Sequence, residues 1–578
     1  MIQRLLTWAP LLACLALGLI LGGGVSMERA LGWDEAMHAQ LPAARMALAI
    51  DAGEPGAAID VALECHQYPF VYPAVLAAVY TVAGVDEGLG RQAGRWIWAF
   101  GLFGVFCAAR QLVRRLEESG GRRKRRARWL PWLALGIAAL SPLALAFSGT
   151  YFLETPFAAA TAWSLWAWLR REGPLGAELL AGALIAVAFF VKFNYGLLLG
   201  FGLFLDLLFE GAGRVRAGDL KPWLLRVLAL ATPPLLSFAW WFGLPLPGDA
   251  ALGAEHREAF LAFLSGNQQL ERFPYDRRLW DAATYLAPSP AAFGLWLLGL
   301  ALSARFALRP GGRAAWLLLL GSGAPIWLHN FHLDRFLVVH VVPLSLLVAA
   351  GWCALLPKQK VVAAAVALAL LFAPLIQAVP QADRFVAALG LVPSGDDDAA
   401  RGVRAYVSGL NAERLDLKPG KRLPTAGLTR AAHDALLDAV AAEVRPGERI
   451  GWLGVNSEMS PGTLHLGLLA RGAAPDGVRF QAPQVRPDGQ PAMVVTFEAV
   501  DPGWDAGTLL GWASGFDVIF STEPLDWKRR GGREFLGTYR GWLFENGAWT
   551  YASAGEFEVT RANGDVERIE LFACRPVR

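Results

Sequence analysis

Eleven apolar runs, each 15–22 residues long, dominate the first 379 positions of this 578-residue sequence. They fall at approximately 5–25, 94–113, 129–147, 156–170, 177–191, 195–209, 222–243, 293–308, 314–328, 336–356 and 361–379. A helix needs about 20 apolar residues to cross the hydrocarbon core of a bilayer, so runs of this length predict membrane-spanning helices. Composition agrees, with 55% of residues hydrophobic and 18% charged, against roughly 45–50% and 25% in soluble domains. A simple cytosolic enzyme is excluded. So is a disordered chain, because 23 Trp and 32 Phe demand more burial than a disordered segment provides. The formal charge of +3 is too small to point to nucleic acid.

The first run, 5–25, follows a single Arg and exceeds the roughly 7–15-residue core of a secretory signal, so it reads as a retained span. The connectors then set the topology. Arg114, Arg115, Arg122, Arg123, Lys124, Arg125, Arg126 and Arg128 share one loop; Arg170 with Arg171, and Arg214, Arg216 and Lys221, mark the next two of the kind. Arg305, Arg309 and Arg313 follow, then Lys358 and Lys360. Basic connectors face the cytoplasm, which puts the amino terminus inside and the carboxyl tail outside. A span at 68–85 would invert every later loop, so that segment is expected on the outer face. Two large outer loops result, 26–93 and 244–292.

Beyond 379 the character changes. Residues 380–578 carry 22 Lys and Arg against 26 Asp and Glu, while 1–379 carry 31 against 24. Helical periodicity at 428–444 and Pro461–Ala470, with strand-like runs at 450–455, 492–497 and 518–521, predicts a small outer α/β domain. The expected architecture is therefore an all-α polytopic membrane module of about eleven spans over 1–379, with an extracytoplasmic α/β domain over 380–578. Cys14, Cys107 and Cys353 read as small buried hydrophobes, and nothing in the spacing of Cys65 and Cys574 pairs them.

Ionisable residues at membrane depth are costly and point to function. Asp34 and Glu35 stand together in Gly32-Trp33-Asp34-Glu35-Ala36-Met37-His38, just past the first span. A carboxylate half withdrawn from water suits a general base; the plain alternative is that Asp34 caps a helix beginning at Glu35. Glu154 sits in the next outer connector, where a helix-start carboxylate is also favoured by the dipole. Lys192 and Asn194 interrupt the one after; His329, His332, Asp334 and Arg335 crowd the last, and headgroup snorkelling is the alternative for Lys192 and Arg335. His38, His66, His329 and His332 fall on the same side and leave open a divalent metal, although no HExxH spacing enforces one. Hydrogen bonding to a phosphate or sugar hydroxyl is the plainer role. Phosphate-loop, GxGxxG and GxSxG motifs are all missing from the sequence, so a nucleotide bound inside the cell is not indicated.

The order of these features resembles the GT-C superfamily of membrane glycosyltransferases, in its protein O-mannosyltransferase and aminoarabinose transferase branch. The resemblance covers about 1–379. It rests on the first outer loop opening with Asp34-Glu35; on Tyr68-Pro69-Phe70-Val71-Tyr72-Pro73, similar to the family's interfacial helix; and on Arg91 or Arg95 leading into the second span. Ser141-Pro142 before the Glu154 connector, the Lys192 connector and Asp334-Arg335-Phe336 continue it. His66-Gln67 stands where relatives carry Lys or Glu before paired prolines, and no β-trefoil repeat is visible in the tail.

The resemblance implies inverting sugar transfer from a polyprenyl-phosphate donor to an acceptor hydroxyl on a protein, glycan or lipid, at the outer face of what would be a bacterial inner membrane. Asp34 would be the base, and Glu35 would orient the acceptor or substitute as base; Lys192, Arg335, His332, Glu154, His66 and Arg95 would bind the phosphate and substrate. The outer loop 244–292, with Arg257, Arg272, Arg277 and Arg278, would be a lid or an ordinary solvated loop. Three other classes compete: a secondary transporter, which would hold its charges near the midplane and show inverted repeats; a non-enzymatic scaffold whose outer tail binds a partner, which leaves the clustered outer charges unexplained; and a ligase of lipid-linked glycan, which would not need the Asp-Glu pair.

Overall fold

The computed structural model describes residues 2–21, 32, 35–65, 68–118, 129–170, 175–216, 218, 220–243, 250–268, 275, 278–279, 282, 286–287, 290–329, 334–355, 430–445, 448–454, 459–472, 504–524, 535–545, 547–560 and 566–577. They form two compact units: Met1–Met27 with His66–Tyr72 and Arg91–Gly420, and Glu28–Cys65 with Pro73–Gly90 and Lys421–Arg578. The expected span at 361–379 and the expected strand at 492–497 lie outside the described residues.

Helix α1 (Ile2–Ala16) runs into a π-turn at Leu17–Leu21. The first outer loop is itself helical, with α2 (Leu41–Asp51), α3 (Pro55–Leu63) and α4 (Val71–Ala83). At 13 residues α4 is too short to cross a bilayer. Then come α5 (Glu87–Glu118), α6 (Leu130–Ala139), α7 (Pro142–Ser148), α8 (Glu154–Leu169) and α9 (Gly176–Val191). The series continues through α10 (Phe193–Arg216), α11 (Leu220–Gly243), α12 (Ala250–Gln268), α13 (Pro290–Ser303), α14 (Gly312–Leu328) and α15 (Val338–Leu355). Among the described residues, Glu87–Glu118, Phe193–Arg214, Leu220–Gly243 and Arg335–Ala354 are long and apolar enough to cross a membrane.

The run at 129–147 is not one helix. Ser141 adopts φ −66°, ψ 120° between α6 and α7, because the ring of Pro142 disfavours the helical region for the residue before it. In the bundle, α9 packs between α8 and α11, α10 lies on α14, and α15 lies on α6 and α13. Small residues allow these close approaches. A Cβ on Gly351 would come 1.8 Å from Gly299 O, and one on Gly321 would come 2.9 Å from Gly202 Cα.

In the second unit, α16 (Arg430–Glu443), β1 (Ile450–Leu453), α17 (Pro461–Ala470), α18 (Ala506–Ala513), β2 (Val518–Glu523), α19 (Phe535–Glu545), β3 (Trp549–Thr560) and β4 (Val566–Pro576) follow one another. The sheet order is β1-β2-β4-β3, with β1 and β2 parallel and the other pairs antiparallel. Side chains alternate across the strands. Ile450, Trp452, Val518, Phe520, Ile569 and Leu571 meet α16 and α17 on one face; Leu453, Ile519, Phe572 and Cys574 meet α18 and α19 on the other. The result is a three-layer α/β/α sandwich. All five cysteines are free.

Candidate active site

Glu154 opens α8 and is 1% exposed. The turn before it is held by α5. Buried Arg91 donates from Nη1 to Gly149 O at 3.2 Å and lies 5.6 Å over the Tyr151 ring. At Gly94 a Cβ would fall 2.8 Å from Ser148 O, so α5 can run this close only on glycine. Arg95 does not join this site; its Nη1 donates to Gln92 Oε1 at 2.9 Å, back along its own helix.

Lys192 is the single non-helical residue between α9 and α10, with φ −156° and ψ 98°. Gly196 makes the tight reversal possible, since a Cβ there would lie 2.4 Å from Phe189 Cα. The break aims a lysine inward that is 3% exposed. Its Nζ donates to Glu154 Oε1 at 2.7 Å. Aromatic faces surround it: Tyr195 at 4.3 Å, Tyr68 at 5.3 Å and Phe336 at 5.5 Å from Nζ. Such cation–π contacts strengthen where water is excluded.

Arg335 reaches the same carboxylate from the short 3₁₀ turn Asp334–Leu337 that precedes α15. Its Nε is 3.6 Å from Glu154 Oε1, and its guanidinium lies 4.7 Å over Phe152. The geometry therefore gathers residues from three connectors around one carboxylate. Tyr195 Oη is buried there without a hydrogen-bond partner among the described residues. Charge-assisted donors such as Lys192 and Arg335 are strong partners for an anionic group.

The described residues of the outer loop 244–292 are tied down. Helix α12 folds back so that His256, stacked 3.9 Å from Trp241, donates from Nδ1 to Trp241 O at 3.0 Å, and Arg257 Nη1 donates to Phe242 O. Arg278, fully buried, donates to the carbonyls of Ile326, Trp327 and His329 at the end of α14. Cations at helix carboxyl ends satisfy carbonyls left over from the helix ladder. These two arginines are thus anchors; Arg272 and Arg277 lie outside the described residues. Sequence spacing carries no sign of either anchor, since the partners are 15 and about 50 positions away.

In the second unit, Asp34 lies outside the described residues. Glu35 is fully buried, and its Oε2 accepts from Gly32 N at 3.2 Å while Ala36 N donates to Gly32 O at 3.0 Å. A carboxylate reaching back three residues to a backbone N–H is the geometry of half a capping box, here closing on Gly32. A five-residue π-turn, Ala36–Gln40, follows before α2; single π-turns recur at functional sites. His66 and His332 lie outside the described residues, His38 and His329 are half-buried, and no group of three metal-ligating side chains occurs among the described residues.

No family model and no curated protein matches the sequence. Solved structures do match its fold. ArnT from Cupriavidus metallidurans in the apo state aligns with TM-score 0.55 at 14% identity, over 99% of this chain and 98% of that one. The same protein bound to undecaprenyl phosphate aligns with TM-score 0.53 at 14% identity, over 97% and 96%. An oligosaccharyltransferase from Archaeoglobus fulgidus, tethered to an acceptor peptide containing the NVT sequon, aligns with TM-score 0.51 at 12% identity, over 97% of this chain and 73% of that one. The arabinofuranosyltransferase AftD from Mycobacteria aligns with TM-score 0.50 at 16% identity, over 98% of this chain and 41% of that one. The fold is GT-C-like: a helical polytopic membrane protein with a C-terminal α/β part.

Proposed function

We propose that this chain is a glycosyltransferase that moves a sugar from a polyprenyl-phosphate donor to an acceptor hydroxyl at the outer face of the membrane, with inversion. The observation that carries the reading is the convergence of Lys192 and Arg335 on buried Glu154, in a fold like that of a protein solved with undecaprenyl phosphate. Residues 1–379 would be the catalytic module and 380–578 an extracytoplasmic domain, with the amino terminus cytoplasmic and a bacterial inner membrane the setting.

In the reaction Asp34 takes the proton from the acceptor hydroxyl as its oxygen attacks the anomeric carbon. The bond from that carbon to the phosphate oxygen breaks, and the electron pair leaves with the polyprenyl phosphate. Lys192 and Arg335, with His332 from the same connector, stabilise the charge growing on the phosphate, where a low dielectric makes each contact stronger. Glu154 keeps the two cations together. Glu35 orients the acceptor or substitutes as base. His66 stays assigned to the substrate side, and no step requires a metal.

The test is transfer by membranes carrying Asp34→Asn, supplied with radiolabelled lipid-phosphate sugars and checked for folding by elution profile. General-base loss is expected to lower transfer by about 10²- to 10⁴-fold. Full activity in a folded Asp34→Asn protein would refute the base assignment. Donors that never bind the wild type would favour a transporter.

A further inference from the structure

The second unit brings part of the first outer loop together with α17, far along the chain. Helix α17 is apolar nearly all round, the pattern of a helix buried on more than one side. One side enters the α/β core, where Leu464 and Leu468 pack with Leu436 and Leu437 of α16. On that side a Cβ on Gly467 would fall 2.6 Å from Leu437 Cδ1. The other side meets the π-turn and α2. A Cβ on Gly462 would lie 2.5 Å from Met37 Sδ, 2.7 Å from Met37 Cγ and 3.8 Å from Ala36 Cβ. Positions five apart in a helix point about 140° away from each other, so the two glycines serve opposed contacts. His465, one turn beyond Gly462 on the same face, feels the charge of Arg45 in α2.

The start of α17 is fixed by a reciprocal cap. Ser460 N donates to Thr463 Oγ1 at 2.8 Å, and Thr463 N donates to Ser460 Oγ at 3.3 Å. The helix is thereby a rigid wedge, locked to the α/β core on one side and pressed on Met37 and Ala36 on the other. Residues 36 and 37 immediately follow Glu35, whose carboxylate holds the Gly32 end of the same turn.

We propose that α17 is the buttress of the acidic turn, with Gly462 a positioning residue that sets the backbone at 36–40 and through it Glu35. The catalytic part of this inference rests on the proposed transferase activity; the structural part does not. The C-terminal α/β part thus acts on the reaction by shaping the turn that begins at Glu35.

The experiment uses the full chain in detergent. Gly462→Leu forces a side chain into Met37, Gly537→Leu in α19 is the control because a Cβ there meets nothing within 4 Å, and Met37→Ala is added to Gly462→Leu as the rescue. Hydrogen exchange of the amides at 36–41 and the kcat and donor KM of lipid-phosphate sugar transfer are read for each. Overpacking of this kind shifts an equilibrium by roughly 5- to 150-fold, so exchange at 36–41 is expected to speed by that factor in Gly462→Leu. With it kcat falls while donor KM holds, and Met37→Ala restores both. Unchanged exchange in Gly462→Leu overturns the buttress, and faster exchange with wild-type kcat overturns the positioning role. Wild-type protein without turnover on any donor would count against the transferase reading, and the exchange comparison would still judge the buttress. Gly462→Ala replaces the leucine variant if the latter fails to fold.

Discussion

Neutralising one member of the Glu154–Lys192 pair should be much worse than neutralising both. The two side chains are 1% and 3% exposed and 2.7 Å apart, so neither charge can be rescued by water. Breaking such a pair from one side costs about 3–5 kcal/mol, because a desolvated charge is left behind. The two single variants are not equivalent. In Lys192→Met, Glu154 keeps Arg335 at 3.6 Å, which places the loss near the low end, about 3 kcal/mol. In Glu154→Gln two cations face each other without their shared carboxylate, which places the loss near the high end, about 5 kcal/mol. The double variant removes one charge of each sign and should lie within about 1–2 kcal/mol of wild type, since neutral replacement of a buried pair is often harmless. Reversible unfolding in mixed micelles, followed for all four proteins, gives the coupling energy directly. Added undecaprenyl phosphate supplies a second readout. At a hundred times its Kd a ligand stabilises the folded state by about 2.7 kcal/mol, and Lys192→Met should lose most of that. If the single losses simply add in the double variant, to within about 0.5 kcal/mol, the buried pair does not exist and the anion-site argument fails with it.

Two further expectations follow from groups outside the site. Asp206 is fully buried, accepting from Arg313 Nε at 2.6 Å and Trp168 Nε1 at 2.8 Å; Asp206→Ala should cost about 3–5 kcal/mol in the same unfolding assay, and a loss under about 1 kcal/mol would show the clamp is not formed. Burial, aided by the charge of Arg45, pushes His465 down to about 4 from its ordinary 6.5. The unfolded chain then binds a proton between pH 6.5 and 4 that the folded one does not, so stability is full above about pH 6.5 and falls by about 3 kcal/mol towards pH 4. Exchange of the α17 amides should track that fall, and His465→Gln should flatten it; a wild-type profile level from pH 7 to 4 would contradict it.

Much of this molecule is written locally. The bilayer-length runs and the basic connectors needed only counting, because the free energy of an apolar helix in lipid is a property of the segment itself. Strands β1 and β2 and helices α16 and α17 were legible from periodicity for the same reason. Glu154, Lys192 and Arg335 could each be nominated because an ionisable residue in an apolar context is conspicuous one at a time. The hairpin of β3 and β4 was missed, although Asn563-Gly564 between two alternating runs is a hairpin signal.

Other features are decided only by contacts between distant segments. Nothing local says that two cations 143 positions apart share one carboxylate, that Arg91 rather than Arg95 holds the Gly149 turn, or that Arg278 caps α14. Each is a choice among partners that become neighbours only after the helices pack. Ser141 shows the boundary between the two kinds: its break from helical geometry is dictated by the proline after it, while its hydroxyl's partner, Leu286 O at 2.8 Å, is 145 positions away. Sequence by itself determines what each segment must bury and where it must stop; the tertiary structure decides which charges meet, because a hydrogen bond or ion pair depends on a distance that covalent connectivity does not set.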